Sequence, residues 1–347
     1  MKRIDSQAEL RENVSEDRPG TEQSELLSRK ISELSLAIPG TRLEALILQL
    51  YDELERAGIT FRPKTYLSDE WGCPNGVPVI GIPFYLADVQ LARLEGQLTD
   101  IEAENEAEVV MYLRHEAGHA FNYAYRLYNE PGWRRLFGSF SRPYKENYRP
   151  HPFSVRFVHH IPGWYAQKHP DEDFAETFAV WLTPDSGWRE RYADTPALAK
   201  LRYVDRVAHQ YGRQPPIVTA ETLDTPVEEL NMTLEMWYAA DENSNSSRLA
   251  LHHVIDEHLK MLFPGAEGQP AADILDANRR GLIRDVNHWT GMDRHVLSSL
   301  YNELRERVQI LGLKTDPDQT TTRMVSMAVF LTTLVMNYQR TGRFIDI

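Results

Sequence analysis

Residues 113–127 read LRHEAGHAFNYAYRL, and everything else is best placed relative to this stretch. On an α-helix, His115 and His119 project from one face, one turn apart, so two imidazoles can approach a single ion with little distortion. Glu116 lies beside them, placed to polarise a water rather than to ligate. Imidazole nitrogens plus a carboxylate, with one coordination position left open, suit Zn2+. Val109, Val110, Leu113 and Ala117 supply apolar packing positions, and the spacing predicts a long helix over about 101–128. Ala117 and Gly118 are small, which lets another backbone approach the metal face. Taken alone, the pattern also describes a helix with two histidines in a polar core.

A third ligand has to come from elsewhere. A three-histidine site of the metzincin kind needs Gly and His three and six residues beyond the second histidine. Those positions hold Asn122 and Tyr125, which removes that option. A helix restarting at Pro170 serves better, with Pro at its first position and Asp171 and Glu172 in its first turn. Glu172 and Glu176 share one face of it, with Ala175 and Ala179 close by to permit tight packing. Glu172 is then the expected ligand. Glu176 is expected to accept a hydrogen bond from the far nitrogen of a liganding histidine, which fixes the tautomer. Asp173 is the rival ligand if that helix is rotated.

The HEAGH sequence, followed by EDFAE at 172–176, resembles the gluzincin arrangement, in which the first acid of an ExxxD/E pair is the third ligand. Three segments resemble, more narrowly, a bacterial family of zinc-binding metallopeptidases: LSDEWGCPNGVPVIGIPFYLAD (67–88), LRHEAGHAFNYAYRL (113–127) and WYAQKHPDEDFAETFAVWL (164–182). The resemblance covers roughly residues 30–240 and not the C-terminal hundred. It implies Glu172 as ligand, Glu176 behind a histidine, and a zincin-like fold. Some gluzincins carry a tyrosine at about the offset of Tyr165, which would donate to the oxyanion. An ordinary packed tyrosine is the competing reading, and His159 and His160 are alternatives for the task.

The bulk numbers are compatible with this. The chain has 347 residues, 42% of them hydrophobic, and a net charge of −13, which is no electrostatic footprint for nucleic acid or for anionic membrane surfaces. A single cysteine, Cys73, cannot form an intramolecular disulfide and points to a reducing, cytoplasmic setting. Cys73 as a cover for the metal is weaker than Cys73 as a structural thiol in a turn. The N-terminal residues contain no apolar signal-peptide core. Met324–Met336 is too short to cross a bilayer, and its apolar character all round reads as a core helix or a subunit contact.

Along the chain, residues 1–24 read as a disordered polar tail. Two amphipathic helices follow, the second carrying Leu43, Leu46, Ile47, Leu50 and Leu54, with Gly58 beyond its end. Extended runs ITFRPKTYL and VPVIGIPFYL come next. Pro78 and Pro83 make the second an edge strand, able to pair with an extended peptide. Residues 129–170 read as an irregular loop region, and 241–248 as a linker to a helical C-terminal region.

The expected architecture is therefore a mainly helical α+β protein. Residues 25–240 would form a zincin-like catalytic domain with a small twisted sheet, and 241–347 a helical region. The expected activity is zinc-dependent cleavage of peptide or protein substrates, with Glu116 as general base. The alternatives are a non-catalytic zinc-stabilised scaffold and a hydrolase of non-peptide amides. No nucleic-acid or membrane partner is expected, and any homo-oligomer would use the C-terminal helices.

Overall fold

A computed structural model describes residues 19–98, 105–144, 148–244, 254–265 and 267–345. The tail expectation therefore falls largely outside the described residues, as do 101–104 of the expected long helix and 245–248 of the expected linker, whose first half, 241–244, is the end of a helix. Helix α1 (Pro19–Ser28) begins inside the stretch read as tail.

Helix α2 (Arg42–Arg56) buries Leu43, Leu46, Ile47, Leu50 and Leu54 along one stripe, and Gly58 follows it at φ +82°. Strands β1 (Lys64–Ser68) and β2 (Val79–Pro83) pair in parallel, Lys64 opposite Val79 through Ser68 opposite Pro83. The second extended run is shorter than its sequence suggests, because Phe84–Ala87 turns into a 3-10 helix. The edge expected to pair with a peptide is taken at its middle: all five residues of β2 are buried, and Gly72 bridges to Gly81 on its outer side, with N···O distances of 2.7 and 3.3 Å.

Helix α3 (Val89–Leu98) leads to α4 (Glu106–Tyr125), which carries the HEAGH sequence. The Asn105 side chain accepts from the Glu108 N–H at 3.0 Å and caps its start. Arg126, in the left-handed region at φ +50°, ends it. The region 129–170 is not irregular throughout, since α5 (Pro131–Phe137) lies within it and buries Trp133. Helix α6 (Pro170–Leu182) starts at Pro170 and stops before Pro184, as its sequence dictates. Short α7 (Trp188–Arg191), α8 (Ala197–Tyr211) and α9 (Leu234–Ser244) complete this part.

Beyond them run α10 (Val254–Leu262), α11 (Ala271–Thr290), α12 (Arg294–Ile310) and α13 (Thr320–Thr341). A two-residue antiparallel pair, β3 (Gln269–Pro270) with β4 (Lys314–Thr315), joins them. The whole is mainly helical α+β with a small parallel sheet, as expected. Residues 31–238 contribute to one large hydrophobic cluster, and 255–344 contribute to a separate one. Helix α13 buries Met327, Leu331, Leu334 and Val335, but Val325 and Val329 on its other side are 60% and 62% exposed. It is a core helix on one face only. Among the described residues no helix is long and apolar enough to cross a membrane.

The pairing that positions the site is α4 against α6. Phe121 stacks on Phe178 with ring centroids 5.3 Å apart, and Ala120, Phe174 and Ala175 are fully buried. Gly118 sets the approach. A Cβ there would lie 2.8 Å from Ala175 Cα and 3.0 Å from its carbonyl oxygen, so only glycine lets the two backbones come so near.

A candidate zinc centre between two helices

This close approach brings three donor atoms together. His115 Nε2 and His119 Nε2 lie 3.1 Å apart, and Glu172 Oε2 lies 3.1 and 3.2 Å from them. The three form a nearly equilateral triangle. A tetrahedral ion with ligands at about 2.0–2.1 Å requires donors about 3.3 Å apart, so the triangle fits one face of such a shell.

The partners of the far ring nitrogens suit the same reading. His115 Nδ1 lies 2.9 Å from Glu176 Oε1, and the same carboxylate accepts the His160 and Ile161 N–H groups at 3.0 Å. His119 Nδ1 lies 3.0 Å from Asp171 Oδ2, while Asp171 also accepts from Asn122 at 2.8 Å and from the Tyr123 hydroxyl. Each carboxylate, already served by other donors, holds the histidine proton on Nδ1. With the imidazoles neutral, both Nε2 lone pairs would point at each other and at a carboxylate oxygen. Three converging acceptors favour a cation between them.

The charges respond accordingly. Burial opposes the His115 imidazolium, but the Glu172 and Glu176 carboxylates outweigh it and raise its pKa to about 9. Burial likewise opposes charging His119, and Asp171 and Glu172 overcome it, raising its pKa well above the usual range. Glu172 is held well below the usual carboxylate range, because the two histidines outweigh its burial. Glu116, 5% exposed, is pushed up by burial against the lowering influence of both histidines. Among the described residues its Oε2 has no hydrogen-bond partner, and Glu116 lines the same cleft as the triangle.

Asp173, the rival ligand, turns away and meets Lys200 Nζ at 2.6 Å, tying α6 to α8. Burial lifts its pKa to about 7 despite Lys200. Tyr165 lines the cleft, its ring 5.6 Å from that of His115, and its hydroxyl accepts from Lys168 Nζ at 3.2 Å. His160 Nε2 bonds to the Met111 carbonyl at 3.0 Å, and His159 stacks on Trp164 with centroids 4.7 Å apart. Neither lines the cleft. Cys73 does line it, with Sγ 3.4 Å from the Glu116 carbonyl oxygen, and its thiol pKa is pushed well up by burial and by Glu116. A protonated thiol is a poor metal ligand.

Two residues were missed from sequence. Asp171 was read only as a first-turn acid, yet it orients His119. The available signal was Asn122 and Tyr123, polar residues three and four positions beyond His119 on the same buried face. Tyr144 lines the cleft and stacks on His169, the N-cap of α6, with centroids 3.9 Å apart. Burial first, then the charges of Glu172 and Asp171 and a hydrogen bond to Glu172, raise its pKa. No local pattern marks it.

Residues 87–207, about a third of the chain, match the model of a family described as "Putative zinc-binding metallo-peptidase". The matched span holds α4, α6 and every residue of the triangle. No curated protein and no solved structure matches the chain.

Proposed function

We propose that this chain, whose residues 87–207 match the model of a zinc-binding metallopeptidase family, hydrolyses peptide amide bonds with a zinc ion held by His115, His119 and Glu172. The observation that carries the reading is the triangle with its inward lone pairs, beside a buried carboxylate that ligates nothing. Such a ligand set, two histidines from HExxH and a glutamate from a later helix, is of gluzincin type.

Zinc bound there would lower the pKa of a water toward 7 and polarise the scissile carbonyl. Glu116 takes the proton of the attacking water and passes it to the leaving amine. Its raised pKa brings it nearer the neutral range where such an exchange is efficient. Asp171 and Glu176 hold the two imidazoles in the tautomer that presents Nε2. Tyr165 and Tyr144 line the same cleft and are the candidates to donate to the developing oxyanion, a role worth roughly 3–4 kcal/mol per donor. The lone cysteine supports a reducing, cytoplasmic setting.

A closed structural zinc site uses four protein ligands. Among the described residues this site gathers three, which favours catalysis over a scaffold role. The test is incubation of the zinc-loaded protein, beside Glu116→Gln, with a diverse peptide mixture read by mass spectrometry. Cleavage by the parent alone is expected. Equal cleavage by both would remove Glu116 from the mechanism, and none by either would favour the scaffold or a non-peptide amide.

A further inference from the structure

The cleft above the triangle is not built by the matched segment alone. Its volume is about 1100 Å³, and its lining includes Asn287, Met292 and Arg294 at the α11–α12 turn and Tyr338 on α13. These belong to the C-terminal helices, whose hydrophobic cluster is separate from that of the metal-binding helices. The junction between the two is tight. Gly291, at φ +68°, packs so close that a Cβ there would lie 2.6 Å from the Gly163 carbonyl oxygen and 2.9 Å from Pro150. Gly163 stands two residues before Tyr165, so the α11–α12 turn abuts the rim of the zinc site. Phe153 and Trp289 meet across the same junction at 6.1 Å, and Arg149 donates to the Arg340 carbonyl at 3.5 Å.

From this we infer that the C-terminal helices form the facing wall of the substrate cleft, so that side chains outside the matched segment contact the peptide. The inference rests on the peptidase reading and deepens it. The groups proposed for catalysis lie deep: His115, Glu116, His119 and Glu172 are 2%, 5%, 6% and 6% exposed. A peptide that reaches them passes between the α4–α6 side and the residues of the α11–α12 turn and α13 that line the same cavity.

The experiment uses the full-length zinc-loaded chain. A photo-crosslinking phenylalanine is placed at Tyr338, or at the outward Val325 as control, in the Glu116→Gln background, and irradiated with a fluorescent, randomised linear peptide. Capture at Tyr338 is expected to exceed that at Val325 by at least about tenfold; equal capture overturns the wall. In parallel, Gly291→Ala must displace the junction, and should lower cleavage of the peptide mixture at least about fivefold with zinc content unchanged; cleavage within about twofold of the parent overturns the role of the junction. Should that variant fail to fold, the crosslinking result decides. If the parent cleaves nothing, the peptidase reading fails, while capture at Tyr338 still reports on the wall.

Discussion

The Asp171 carboxylate lies 3.0 Å from His119 Nδ1 and is held from behind by Asn122 and Tyr123. The residue before the proposed third ligand thus orients the proposed second, and one turn of α6 would serve the ion twice. Replacing Asp171 by Asn removes the charge and allows the amide to present N–H to the ring, favouring the wrong tautomer. Zinc affinity should fall about 10–100-fold, with the fold kept. Competition against a chromophoric chelator measures it, and unchanged affinity would show that His119 needs no such partner.

Gly118 and Ala175 make the second prediction. In Gly118→Ala the new Cβ meets backbone, not a flexible side chain, so α4 and α6 must part. The overpacking should cost about 1–3 kcal/mol, only partly offset by the better helix propensity of alanine. Because the helices carry different ligands, zinc content should fall with the melting temperature. A variant with normal melting and normal zinc would mean that the close approach is dispensable.

Acidity supplies the third. The His115 pKa is raised from 6.5 to about 9 by carboxylates that outweigh its burial. In protein stripped of metal by chelation, the resulting stabilisation is complete below about pH 6.5 and is lost as pH rises through about 9. Thermal melts of stripped protein should therefore decline from pH 7 to pH 10, and more steeply than those of zinc-loaded protein. Zinc uptake at pH 7 should also release protons, seen as a binding heat that depends on the ionisation enthalpy of the buffer. A buffer-independent heat would contradict the protonated starting state.

Two tyrosines compete as oxyanion donors, which gives the fourth. Tyr144→Phe and Tyr165→Phe each delete one hydroxyl while leaving the ring that stacks on His169 or packs near His115. The true donor should lose roughly 10²–10³ in kcat, with zinc content retained. Full activity in both variants would leave the oxyanion to groups other than these two.

Much of the candidate site was legible because it is local. His115 and His119 sit one turn apart, Pro170 can begin a helix but not continue one, and Glu172 and Glu176 share a face by spacing alone. The parallel pairing of Lys64 with Val79 was less legible, since Pro78 and Pro83 mark where a strand is weak and not what lies beside it. Phe84–Ala87 looks extended in sequence because its residues are apolar and β-prone; burial against Trp237 overrides that preference. Tyr144 reaches Glu172 from an irregular segment, and no periodicity connects the two. The contribution of Tyr338 to the cleft is longer in range still, set by how α13 packs after the rest of the chain is in place.

The arrangement of α4 and α6 also acts as a gauge of assembly. One helix delivers Asp171, Glu172 and Glu176, and each addresses a histidine on the other at a fixed register. A slip by a single turn, about 5.4 Å, would mismatch all three at once and leave buried charges facing apolar side chains. No partly aligned version holds the ion. With the proposed ligand set, the zinc occupancy of a preparation would therefore count the correctly aligned molecules in it, and could serve as a quality standard for variants that leave the ligands and their orienting carboxylates intact.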